Sequence, residues 1–258
     1  MRDVTLDRTN AVLTITLDRP QVGNALDPAT MEIIGDAICS APHEGLHAIV
    51  ITGAGERFFS TGVDIKAVAA AQAAGVNVLA NIWGSARRSL FEIVAESDIP
   101  VIAAVNGAAV GGGFELMLAC DFALASEGAT FALPEAKRGM ASHFASIVLP
   151  RRIAPALATE MLLTGEPIDA AEALRRGLVV AVESPGNLLP AAQARAMAIA
   201  ANAPLSIRRI RRTMRRSREL PLTAALRLDE CPNPYDSEDR VEGFRAFIEK
   251  RQPIWRGR

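Results

Sequence analysis

"PVIAAVNGAAVGGGFELMLACDFALAS", residues 100–126, sets a short apolar run, three consecutive glycines and an apolar stretch of helix length end to end. "PVIAAVNG" (100–107) closes on glycine and has the pattern of a strand covered on both faces. Residues 112–119 read as a helix and "CDFALAS" (120–126) as the next strand. Glycine costs a helix about 0.5–1 kcal/mol relative to alanine, so Gly111, Gly112 and Gly113 at a helix start need a reason. Either the backbone approaches a ligand here or helix and sheet pack closely, and on these residues alone both readings stand. Two nucleotide motifs fail. A phosphate loop starting at Gly107 needs lysine where Gly113 stands, and a dinucleotide fingerprint starting at Gly111 needs glycine where Leu116 stands.

Working outward, "AVLTITLD" (11–18) alternates with period two and predicts a half-buried strand. "HAIVITG" (47–53) and "LVVAV" (178–182) predict further strands, and helices are expected over roughly 28–39, 78–97, 155–163 and 170–176. Asp27 before Pro28 is a good helix start, with a capping carboxylate and a proline suited to the first turn. Strand and helix alternate to about residue 185, the α/β signature. Beyond "ESPGNLLP" (183–190) only helices are predicted, filling 188–251, with "ANAPLSI" (201–207) as the expected hinge. The alanine-rich "AVAAAQAAGVN" (67–77) is expected to be weakly packed and mobile.

Half of the 258 residues are hydrophobic and the formal net charge is -1, which fits a globular chain with a sizeable core. Near-neutral charge argues against nucleic acid or a membrane surface as the main partner. No apolar stretch is of membrane-spanning length and "MRDVTLDRTN" has no signal-peptide core, so a cytoplasmic protein is expected. Cys39, Cys120 and Cys231 are widely spaced, without metal-type pairing, and are expected as reduced thiols.

"ERFFSTGVDIKAV" (56–68) sets a second small-residue turn, Ser60-Thr61-Gly62, before a helix start. Two such turns can aim two backbone N–H groups at one oxygen, forming an oxyanion hole. "FFSTGVDIK" and the 100–126 stretch together resemble the two signature segments of the enoyl-CoA hydratase/isomerase (crotonase) family. "LTITLDRPQVGNALD" (13–27), "IVITGAGERFFS" (49–60), "FALPEAKRGM" (131–140), "MLLTGEPIDAAEALRRGLV" (161–179) and "FIEKRQPIWRGR" (247–258) extend the resemblance almost end to end. It implies a spiral of repeated β-β-α units with the active site over 1–195 and a helical oligomerisation region over 196–258, assembled as a homo-trimer or a hexamer. It places the oxyanion amides on Val63 and Gly112, holding the thioester oxygen of an acyl-CoA.

The resemblance also implies an acid/base pair, Glu115 and Glu135, flanking one water for hydration of a 2-enoyl-CoA to a 3-hydroxyacyl-CoA. Read without it, Glu115 is a helix first-turn acid favoured by the dipole and Glu135 an ordinary loop residue. Lys66, Phe247 and Lys250 are implied at the CoA nucleotide, with CoA part of the substrate and neither metal nor redox cofactor required. One segment departs from the pattern. Where hydratases carry a proline and several glycines, this chain reads "ASHFASIVLPR" (141–151), so His143 and Phe144 are expected to reshape the pocket. His143 reads first as a capping or surface residue, and His43 and His47 as surface or packing residues. Isomerisation or another lyase step on the same enolate platform is the alternative reaction. The arginines of "SIRRIRRTMRRSREL" (206–220) alternate with Ile207, Ile210 and Met214 as an amphipathic basic helix. They are expected to form a solvated face paired with acids. A weakly catalytic CoA-ester- or RNA-binding protein is the further alternative.

Overall fold

A computed structural model describes residues 3–74, 88–229 and 233–258. The chain runs β1 (Val4–Thr9), β2 (Val12–Leu17), α1 (Pro28–Ser40), β3 (Ala48–Gly53), β4 (Phe58–Ser60), α2 (Ile65–Ala73) and α3 (Leu90–Glu96). Next come β5 (Val101–Val105), β6 (Ala108–Val110), α4 (Gly112–Ala119), β7 (Phe122–Ser126), β8 (Thr130–Ala132), α5 (His143–Val148) and α6 (Pro155–Thr164). It closes with β9 (Ile168–Asp169), α7 (Ala170–Arg175), β10 (Ala181–Glu183), α8 (Pro185–Ala200), α9 (Pro204–Ser217), α10 (Leu222–Ala225) and α11 (Glu238–Glu249).

The 100–126 stretch is one turn of a spiral. β5 joins a six-stranded sheet ordered β1-β2-β3-β5-β7-β10, while β6 joins a four-stranded sheet ordered β4-β6-β8-β9. The pairs β3/β4 and β7/β8 divide between the two sheets in the same way. Within each sheet these successive turns pair in parallel, β3 with β5 with β7, and β4 with β6 with β8. Every helix start that follows the second strand of a turn is therefore delivered to one edge of the spiral, where the site lies.

Side-chain alternation on the large sheet explains the apolar runs. Ile49, Ile51, Val101, Ala103 and Val105 face the main core with α1, α3 and α4, while Val50, Ile102, Ala104 and Leu124 face α8 through Leu188, Ala192 and Ala196. The half-buried reading of 11–18 is corrected here. α8 covers the second face of β2, burying Val12 and taking Thr14 into a bond from Gln193 Nε2 at 3.1 Å. Asp27 caps α1 as its sequence predicts, accepting from Thr30 N–H at 2.8 Å.

Other expectations shift. The strand placed at 178–182 begins only at Ala181, and β1, β4, β6, β8 and β9 had no separate forecast. Of the helix expected over 78–97, Leu90–Glu96 is helical behind a Ser89–Glu92 capping box, and residues 75–87 lie outside the described part. The alanine-rich stretch continues α2 as far as Ala73, and its last residues, 75–77, also lie outside the description. No helix among the described residues is long and apolar enough to cross a membrane.

Candidate active site

The two turns meet at the edge of the spiral. After β4, the chain turns at Gly62, whose φ is +82° and whose N–H donates to Ser60 Oγ at 3.1 Å. A single parallel bridge then pins the next residues against the 19–27 loop. Leu26 N–H donates to the Gly62 carbonyl at 2.8 Å and Asp64 N–H to the Leu26 carbonyl at 3.1 Å. Alternation along an extended backbone leaves the Val63 N–H facing the other way. Gly112 opens α4, so its N–H has no intrahelical acceptor. Among the described residues neither amide donates to a backbone carbonyl.

The glycines that bring these amides together have separate reasons. A Cβ on Gly113 would lie 2.1 Å from the Ser60 carbonyl oxygen, so this position is fixed by close packing of α4 on β4. Gly111 has φ +56°, and its Cβ would lie 2.6 Å from Glu135 Oε1. That position is reserved for the carboxylate. The close-packing reading of the glycine run holds at Gly113, and Gly111 makes room for a side chain of the protein itself.

Val63, Gly112, Glu115 and Glu135 all line one cavity of about 450 Å³, whose other walls include Ile65, Val68, Phe91 and Met140. Glu115 is only 4% exposed, because every residue of α4 is buried. Its Oε1 accepts from the Ala145 N–H at 2.9 Å. Burial pushes the Glu115 carboxyl up to about 7, the Ala145 and Phe144 amides pull it partly back, and the charge of Glu135 raises it further. Glu135 is half-buried on a 3-10 turn, Pro134–Arg138, and its Oε2 is enclosed without a hydrogen-bond partner in the protein. A buried acceptor left open in this way suits a bound water or substrate.

The departing segment 141–151 carries α5 and a following 3-10 turn, and meets the site through the Ala145 amide on Glu115 and through Ala141 and His143. His143 lines the cavity at its exposed rim. Phe144 packs its ring on the cavity-wall residue Phe91, centroids 5.5 Å apart, and does not line the cavity itself. His47 packs by its ring against the Ala200 carbonyl at 3.3 Å. Lys66, Phe247 and Lys250 do not line the cavity within this chain. Lys66 sits on α2, whose Ile65 and Val68 do, and Phe247 and Lys250 are at the end of α11. No group of three His, Cys, Asp or Glu side chains suited to a metal occurs among the described residues.

Sequence reading missed the residues that hold the first turn in place. Asn24 Nδ2 donates to the Phe58 carbonyl at 2.7 Å, and Asn106 Nδ2 donates to the Gly55 carbonyl at 2.7 Å. Arg19 pairs with Asp27 at 2.9 Å and with Asp64 at 3.5 Å, tying the loop that carries Leu26 to the turn after Val63. The asparagines stand beside glycines, a turn signal, but their long-range partners leave no local trace. The basic helix α9 turns much of its charge inward. Arg211 bonds Asp121 at 2.8 Å and the Ser97 carbonyl, and Arg212 pairs with Asp98 at 2.7 Å.

Known proteins resemble this chain over nearly its whole length. The enoyl-CoA hydratase/isomerase family model matches residues 7–258. A carnitinyl-CoA dehydratase of Salmonella enteritidis is 41% identical over 98% of both chains. Among solved structures, an enoyl-CoA hydratase from Bacillus anthracis superposes with TM-score 0.91 at 32% identity over the whole of both chains. One from Mycobacterium tuberculosis gives 0.88 at 34% identity over 99% of each. The chain belongs to the enoyl-CoA hydratase/isomerase family, has the crotonase fold, and is an enzyme acting on CoA esters.

Proposed function

We propose that the protein adds water across the double bond of a 2-enoyl-CoA to give a 3-hydroxyacyl-CoA, and catalyses the reverse dehydration. The observation that carries this reading is the pair of carboxyl groups, Glu115 and Glu135, in one cavity with the Val63 and Gly112 amides. The amides hold the thioester oxygen as negative charge builds on it. Losing one such donor typically slows a reaction about 10²–10³-fold. One carboxyl takes a proton from water attacking the β-carbon while the other gives a proton to the α-carbon. Burial keeps Glu115 protonated up to about pH 7. A metal or redox group is not needed for these steps.

Isomerisation, the alternative, needs one base to shuttle a proton, and the second carboxyl in this cavity favours hydration over it. Residues 1–195 are read as the catalytic part and 196–258 as the part through which subunits assemble. Lys66, Phe247 and Lys250 are read as contacts to the CoA nucleotide, the last two reaching a neighbouring subunit's ligand. Purified protein given crotonyl-CoA should remove the conjugated-thioester absorbance and yield a product heavier by one water. A product of unchanged mass with a migrated double bond would establish isomerisation instead.

A further inference from the structure

The turn that carries Glu135 brings a second charged side chain to the same cavity. In a 3-10 turn, side chains three residues apart eclipse, with an axial separation of about 6 Å. Glu135 and Arg138 are such a pair in Pro134–Arg138, and both line the cavity. Lys137, between them, is bonded to Glu166 at 2.6 Å. Arg138 has no hydrogen-bond or ion-pair partner among the described residues. His143 also lines the cavity, but lies close enough to Glu92 on α3 for their charges to interact. Among the described residues, Arg138, exposed at the rim, is thus a cation with no bonded partner in a largely apolar cavity.

A guanidinium in that position binds a carboxylate or a phosphate through a planar fork of donors. The direction of the acyl chain decides between them. With the thioester oxygen on the Val63 and Gly112 amides, the reacting carbons lie against Glu115 and Glu135. The cavity has Ile65 and Val68 on its α2 wall, beside Lys66, the residue read as a CoA contact, and Arg138 and Met140 on the turn that follows Glu135, so the carboxylate reading assigns CoA to the α2 wall and the distal end of the acyl chain to Arg138. Resting on the hydratase reading of this cavity, we infer that Arg138 is a specificity residue for 2-enoyl-CoAs whose acyl chain ends in a carboxylate a few carbons beyond the double bond. The same charge disfavours a quaternary ammonium, the group a carnitinyl thioester carries. Among the described cavity residues the acids are Glu115 and Glu135, both engaged at the reacting carbons.

Saturated thioesters separate binding from chemistry. Calorimetric titration of the wild type, Arg138→Ala and Arg138→Lys would use glutaryl-CoA, its methyl ester and butyryl-CoA. The wild type should bind glutaryl-CoA about 10- to 100-fold more tightly than the methyl ester, the range for one charge-assisted pair. Arg138→Ala should remove that preference and leave butyryl-CoA binding unchanged, and Arg138→Lys should keep part of it. Equal wild-type affinity for glutaryl-CoA and its methyl ester overturns the inference. So does an alanine variant that weakens all three ligands alike, which would assign the guanidinium to a CoA phosphate. Hydration assays with crotonyl-CoA and glutaconyl-CoA run beside the titrations. If neither is hydrated while the glutaryl preference stands, the hydratase reading fails and the Arg138 site survives it.

Discussion

Glu115 concentrates the chemistry of the site in one carboxyl group. A buried carboxylate is costly unless it is paired or hydrogen-bonded, and the Ala145 amide offsets only part of that cost. The folded protein therefore holds this proton more tightly than the unfolded chain, whose carboxyl titrates near the ordinary 4.5. Stability should fall as pH rises from about 4.5 to about 7 and level off above, by an amount on the order of 3 kcal/mol. Glu115→Gln removes the titration and should be more stable than the wild type at pH 8 while losing hydration. Chemical denaturation of both proteins across that pH window checks this. Parallel curves would mean that Glu115 ionises in the folded protein as freely as in water.

At the scale of elements, the junction of β6 and α4 makes each glycine answer to a different neighbour. Gly113→Ala sets a methyl against the Ser60 backbone, which has no room to move, so the variant should melt well below the wild type or fail to accumulate. Gly111→Ala strains a positive-φ backbone outside the left-handed helical region, φ +56° and ψ -124°, at about 1–3 kcal/mol, and displaces a movable side chain, Glu135. It should fold and lose far more activity than stability. Melting temperatures beside kcat values test the pair, and a Gly113→Ala protein that melts like the wild type would contradict the packing account.

The same junction shows what the sequence discloses. β3, β5, β7, α1 and α4 were legible because apolar runs, an Asp-Pro cap and a glycine stop are local signals. The three-residue strands β4, β6 and β8 were not, since their pairing is decided by the partner strand in the second sheet. α8 changed the reading of β2 because burial of its outer face depends on a helix more than 160 residues away. Glu115, Glu135, Val63 and Gly112 line one cavity, but residue types alone left the glutamates open to bland readings. Arg138 stood inside the quoted "FALPEAKRGM" without a signal, because its spacing from Glu135 matters only once a 3-10 turn is known.

For the whole molecule, the C-terminal helices leave many large apolar side chains exposed. Ile210, Met214, Leu222, Leu226, Phe244 and Ile248 are exposed, and Phe247 is 85% exposed. Patches of this kind mark interaction sites, and closed symmetric assembly of identical chains is the usual way to cover them. Light scattering on the purified protein should therefore give the mass of a trimer or hexamer, and Phe247→Glu should shift it towards smaller species. A wild-type monomer at micromolar concentration would contradict the assembly. The arginines of α9 fit this picture without a nucleic-acid partner, since Arg211 and Arg212 clamp α9 to Asp121 and to the turn before β5.

The central claim, that Glu115 and Glu135 act as one acid/base unit on a thioester held by two amides, is tested most directly by crotonyl-CoA hydration in Glu115→Gln, Glu135→Gln and the double variant. Groups that act as a unit are not additive. Each single variant should lose nearly all of kcat, with butyryl-CoA binding retained, and the double variant should lose little more. A single variant that keeps wild-type kcat, or losses that multiply as for independent residues, would contradict the account.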